Sequence, residues 1–146
     1  MRHDMRPVRG LMLLAGLVAF AAVTVRAASA DVKVIAHPSV TASSISAADL
    51  KDVFLEVKTS LEGVPVEPVL ARQGVTHETF LREFLGKSDA ALATYFRSLV
   101  FTGKAAMPRS LDSDAAVAAY VAKTKGAIGY VSVSASAPGT KTLDIK

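Results

Sequence analysis

Two alternating periodicities constrain this chain more than any other feature. "VKVIA" (Val32 to Ala36), a stretch near Val66 to Ala71, "AIGYVSVS" and "KTLDI" are short runs rich in β-branched residues, the signature of strands. Between them apolar residues recur at helical spacing. Leu50, Val53, Phe54 and Val57 form one such face; Phe80, Leu81, Phe84 and Leu85 a second; Leu92, Tyr95, Phe96 and Leu99 a third; Val117, Tyr120 and Val121 a fourth. Strand and helix patterns in alternation predict an α/β domain with a mixed or mostly parallel sheet flanked by helices.

Boundary signals refine the pattern. Ser46 starts the first helix, with Asp49 three residues on in a short capping box. Pro65 and Pro68 favour an extended approach to the second strand and a place at the sheet edge. Gly86 reads as a helix stop, Ser88 as the next start, and a last helix runs from about Asp114 towards Gly126. "SVTASS" and "TGKAAMPRS" read as irregular loops. Phe54, Phe80 and Phe84 lie on the apolar faces of two helices and are expected to share a core.

Residues 1–30 stand apart. Arg2, Arg6 and Arg9 precede an apolar run from Gly10 to Val25, and Ala28-Ser29-Ala30 puts small residues at the −3 and −1 positions of a cleavage site. This is the pattern of a secretory signal peptide. The run falls short of the roughly 20 residues a spanning helix needs. The expectation is a periplasmic or secreted protein with one domain over residues 31–146 and no membrane anchor after cleavage. The first thirty residues hold four of the 17 basic and one of the 13 acidic side chains. The formal charge of +4 therefore falls to about +1 beyond them, which gives a nucleic-acid partner no support. There is no cysteine, so stability rests on packing rather than disulfides.

Most site chemistry is absent from the pattern. Beyond residue 30 the only histidines are His37 and His77, with neither the number nor the spacing for a zinc site, and His77 reads as a solvated first-turn residue. No Gly-x-Ser-x-Gly elbow and no glycine-rich phosphate loop occurs, so neither an enzyme nor a cofactor is expected.

One junction differs. In "RQGVTHETF" (72 to 80) a strand end, a cation, a glycine and a helix start converge. In open α/β sheets ligands bind at the carboxyl ends of strands, and free amides at a helix start favour anions. Arg72, Gly74, Val75 and Thr76 are the candidate oxyanion ligands, with the Thr76 hydroxyl either a donor or the helix cap.

Three stretches together resemble the phosphate-type periplasmic substrate-binding proteins of ABC transporters. "SAADLKDVFLEV" is similar to that family's L-x-D-I-F-L-G helix, "KGAIGYVS" to its G-A-I-G-Y-V strand, and "RQGVTHETF" lies where the family carries Arg, then Ser-Gly-Thr, then Phe. The likeness runs from about Val34 to Val131 and is greatest to half-length, single-lobe members, which also carry an "FTG" like Phe101-Thr102-Gly103. It implies a single-lobe type II periplasmic-binding-protein-like fold. It also implies a solute-binding role with phosphate or a similar oxyanion as ligand, linked to a membrane transporter for phosphate uptake or sensing. Of the Ser-Gly-Thr positions, which align with Gly74, Val75 and Thr76, only the threonine is shared. Full-size members close two lobes around the anion, so a lone lobe implies weak binding. The alternative is a periplasmic module that has lost its ligand and binds another protein or itself.

Overall fold

A computed structural model describes residues 31–146; the expected signal peptide lies outside them. The chain folds in the order β1 (Val32–Ala36), β2 (Ser44–Ile45), α1 (Ala47–Phe54), β3 (Ser60–Leu61), β4 (Val64–Pro65), β5 (Glu67–Ala71), α2 (Val75–Phe80), a π-helical turn (Leu81–Leu85), α3 (Asp89–Phe101), β6 (Arg109–Leu111), α4 (Asp114–Lys123), β7 (Ala127–Ser132) and β8 (Lys141–Ile145). Six strands make one mixed sheet in the order β2-β8-β1-β7-β5-β6, and β3 with β4 forms a separate hairpin. β1 runs antiparallel to both β7 and β8, whereas β5 is parallel to β6 and β7.

Period-2 alternation sorts side chains between two faces. On β1, Val32, Val34 and Ala36 join the larger core with α1, α2 and α3, and Ile35 joins the smaller one under α4. On β7, Ile128 and Tyr130 take the first side, and Ala127 and Val131 the second. Gly129 also faces α4. A Cβ there would sit 2.8 Å from Val117 Cγ1 and 3.2 Å from Val121 Cγ2, so the helix lies on the strand more closely than any side chain allows.

Helix starts follow the expected chemistry. The hydroxyls of Ser46, Ser88 and Ser113 accept from the amides of Asp49, Ala91 and Ala116 at 3.0 to 3.1 Å. The Asp49 carboxylate makes an ion pair with Lys58 at 2.9 Å. Gly86 ends the π-helical turn at a φ of 63°, the left-handed stop its position predicts.

Four expectations need correction. α1 ends at Phe54, and the amides of Val57 and Lys58 fold back onto Asp52 O, which leaves Val57 exposed rather than on the core face. β5 is internal, not at the edge. The Glu67 amide bonds Gly126 O on the β7 side; since amides alternate, Pro68 turns its missing donor to the other side, where β6 begins to pair only at Val69. Part of "TGKAAMPRS" is strand β6, too short to carry a periodicity of its own, and Ser44–Ile45 of the "SVTASS" region pairs with β8. Of the three phenylalanines, Phe54 and Phe80 are fully buried at 4.8 Å between ring centroids, while Phe84 packs half-buried at the margin, 5.4 Å from Phe80.

Candidate functional site

The carboxyl end of β5 opens into a cleft of about 190 Å³ between α2, α3 and the segment entering β6. Arg72, His77, Asp89 and Ser110 supply its polar lining. Leu92, Ala93, Phe96, Met107 and Pro108 supply much of its apolar wall.

Of the junction that begins α2, Arg72 and His77 line this cleft, whereas Gly74, Val75 and Thr76 do not. Gly74 is the N-cap, at φ 106° and ψ 170°, a backbone conformation open essentially only to glycine. Thr76 is therefore not the cap: it is the second residue of the helix, half-buried, and the cap makes no side-chain hydrogen bond. Val75, the first helical residue, is exposed and keeps a negative φ, so a β-branched side chain is tolerated there. The first intrahelical bond runs from Glu78 N–H to Gly74 O at 3.0 Å, so the amides of Val75, Thr76 and His77 have no partner within the helix. The Arg72 amide bonds Leu111 O at 2.8 Å, and its guanidinium pairs with Asp112 at 2.9 Å. Both side chains are open to water, 62% and 71% exposed, so the pair is weak and exchangeable.

His77 contradicts its sequence reading most sharply. It is buried and its ring makes two hydrogen bonds, to the Tyr130 hydroxyl through Nδ1 and to Asp89 Oδ1 through Nε2 at 2.9 Å. Tyr130 Oη also accepts from the Ala71 amide at 3.0 Å. Burial pushes the Tyr130 phenol well above its ordinary range, the Ala71 hydrogen bond opposing this in part, so the hydroxyl stays protonated. The Asp89 carboxylate only accepts, so Nε2 carries the proton directed at it, and in the neutral ring Nδ1 is left to accept from the Tyr130 hydroxyl. This relay ties β5, β7, α2 and α3 together beside the cleft. It also occupies both ring nitrogens. The signal was present in the spacing: His77 precedes Phe80, Leu81 and Phe84 by three, four and seven residues, the core face of its own helix.

Among the described residues no buried side-chain nitrogen or oxygen lacks a partner, no cluster of three or more metal-ligating side chains occurs, and no helix is long and apolar enough to cross a membrane. Arg109 stacks over Tyr120 at 4.8 Å on the α4 side.

No family model matches the chain, and no curated protein sequence does. Solved structures do. A candidate phosphate ABC transporter substrate-binding protein from Clostridium perfringens, solved with bound phosphate, aligns with a TM-score of 0.60 at 16% identity over 78% of this chain and 44% of its own. An ABC-type phosphate transport receptor from Vibrio cholerae gives 0.52 at 11% over 78% and 45%. A possible phosphate binding protein from Planctomyces limnophilus gives 0.53 at 17% over 79% and 41%. The chain has the fold of phosphate-type substrate-binding proteins. It is α/β, a single-lobe arrangement with a mixed sheet flanked by helices, and it spans less than half the length of each of these structures.

Proposed function

We propose that this chain is an exported solute-binding-like protein that holds phosphate or a related oxyanion weakly at Arg72, Gly74, Val75 and Thr76. What supports the reading is that Arg72, Gly74 and the start of α2, whose first amides have no partner within the helix, follow one another at a strand's carboxyl end, in a fold shared with phosphate-binding proteins. Arg72 supplies a permanently charged fork, and an arriving anion exchanges with Asp112 for it. Competition with a carboxylate and an open, hydrated mouth both lower affinity. Residues 1–30 direct export and are removed, and the protein works in the periplasm beside a phosphate transporter or sensor. The test is thermal unfolding in phosphate against chloride at matched ionic strength, since phosphate stabilises many proteins by exclusion alone. A specific site raises stability as RT ln(1 + [L]/Kd), and Arg72→Ala removes that rise. Identical responses in the two proteins refute the reading.

A second reading, a protein-interaction module, is favoured by one observation. Val100, Phe101 and Met107 gather beside Arg97 around an apolar hollow at the end of α3, and Phe101 is 93% exposed. Self-association through this patch would appear as a concentration-dependent elution volume, lost in Phe101→Ser.

A further inference from the structure

We infer, building on the anion reading of the cleft, that its ligand is a small organic monoanion, a tetrahedral XO₃ head on a short hydrocarbon tail, as in an organosulfonate or a singly ionised organophosphonate. The lining is lopsided. Arg72 and Ser110 are the side chains that can donate to an anion, since His77 spends its one ring proton on Asp89. The rest of the wall is hydrocarbon from Leu92, Ala93, Phe96, Met107 and Pro108. A bare phosphate presents oxygens on every side and needs donors around it. Oxygens turned toward that wall would find carbon in place of a donor, which is costly. A ligand whose far side is itself hydrocarbon meets that wall favourably.

Charge points the same way. Arg72 is the cation of the cleft, while Asp112 pairs with it and Asp89, 73% exposed, lines the opening with a second carboxylate. A second negative charge on the ligand would face a carboxylate with no further cation to offset it; a single charge suffices for one guanidinium. At about 190 Å³ the space is below the usual range for drug-sized ligands, so the tail is short.

The experiment is calorimetric titration of the full chain, freed of any signal, with methane-, ethane-, propane- and butanesulfonate, and with sulfate and phosphate, at constant ionic strength. Each methylene that leaves water on the wall should tighten binding about fourfold until the cleft is filled. Met107→Ser should flatten that series, because Met107 lines the wall yet is largely exposed and its loss spares the core. Arg72→Ala should abolish binding of every member. A flat series in the wild type, with phosphate binding intact and dependent on Arg72, overturns the organic-anion inference and leaves the phosphate reading standing. Binding of the sulfonates that survives Arg72→Ala overturns the inference as well. Silence from all six anions overturns both.

Discussion

The two faces of the sheet are built on opposite terms. Under α4 the core is Ile35, Val69, Val117, Ala118, Val121, Ala127 and Val131, small and aliphatic, and closed by direct contact of the helix with the backbone at Gly129. On the other face α1, α2 and α3 cover an aromatic cluster in which Tyr130 stacks on Phe80 at 3.8 Å and lies 5.7 Å from Phe54. There the helices part at the carboxyl end of β5, and polar atoms collect where they do. Volume alone specifies the first face. The second must also satisfy a phenol, an imidazole and an amide, and the relay that does so borders the cleft. A face with an opening is where a fold can carry a ligand, and here a hydrogen-bonded seam borders that opening.

The largest break in this comparison should come from Phe80→Ala. Phe80 is fully buried between Phe54 and Tyr130, and such truncations cost about 3–5 kcal/mol. Denaturant unfolding should place its midpoint far below wild type, while Phe84→Ala, at the half-buried margin, should lose clearly less. Equal losses would mean that the aromatic cluster is centred elsewhere.

Next comes the closed face. Gly129→Ala puts a methyl 2.8 Å from Val117 Cγ1, and overpacking of this kind costs about 1–3 kcal/mol. Val117→Ala should restore part of that loss by making room. A double mutant no better than the single would show that the strain lies in the backbone of β7 instead.

The hydrogen-bonded seam gives a third test. His77→Leu deprives the Tyr130 hydroxyl of its acceptor, and an unsatisfied buried polar group costs about 1–3 kcal/mol. Tyr130→Phe strands the Ala71 amide and His77 Nδ1 in the same way. The double mutant should lose less than the sum of the two, because the groups share one network. Strict additivity of the unfolding free energies would dissolve the relay into two independent packing losses.

Much of the closed face could be read in the sequence, because period and volume are local properties. "VKVIA", "AIGYVS" and the Val117–Val121 spacing suffice to predict which residues meet. The same holds for the serine caps at Ser46 and Ser88. The open face resisted for a different reason. The meaning of His77 depends on Tyr130, 53 residues away, and on Asp89 across a turn, and polarity at an apolar position is ambiguous until its partners are known. Strand β6 was hidden because three residues paired with β5 need no pattern of their own. The Arg72 junction could be read as a strand end and a helix start, but the pattern leaves the Thr76 hydroxyl as either donor or cap, whereas the cap is a glycine at φ 106° with no side-chain hydrogen bond. Asp112 was missed entirely: it lies forty residues after Arg72 and is brought to it by the β5–β6 pairing.

That last contact sharpens the comparison with the smallest perturbation. Asp112→Asn removes one charge from an exposed pair, and exposed pairs contribute about 0–1 kcal/mol, so the unfolding midpoint without ligand should barely move. The Arg72 fork is then left without its competitor. Phosphate and methanesulfonate should both bind more tightly than to wild type, with a steeper loss on adding salt, since the gain is electrostatic. Arg72→Ala should be equally silent in ligand-free stability yet opposite in sign, with the anion response gone. The pair of variants therefore separates a structural ion pair from a guarded binding group. If both destabilise the free protein alike and neither changes the response to anions, Arg72 serves to fasten β5 to the segment after β6. If Asp112→Asn strengthens the response while Arg72→Ala ends it, Asp112 occupies the place an anion takes when it arrives.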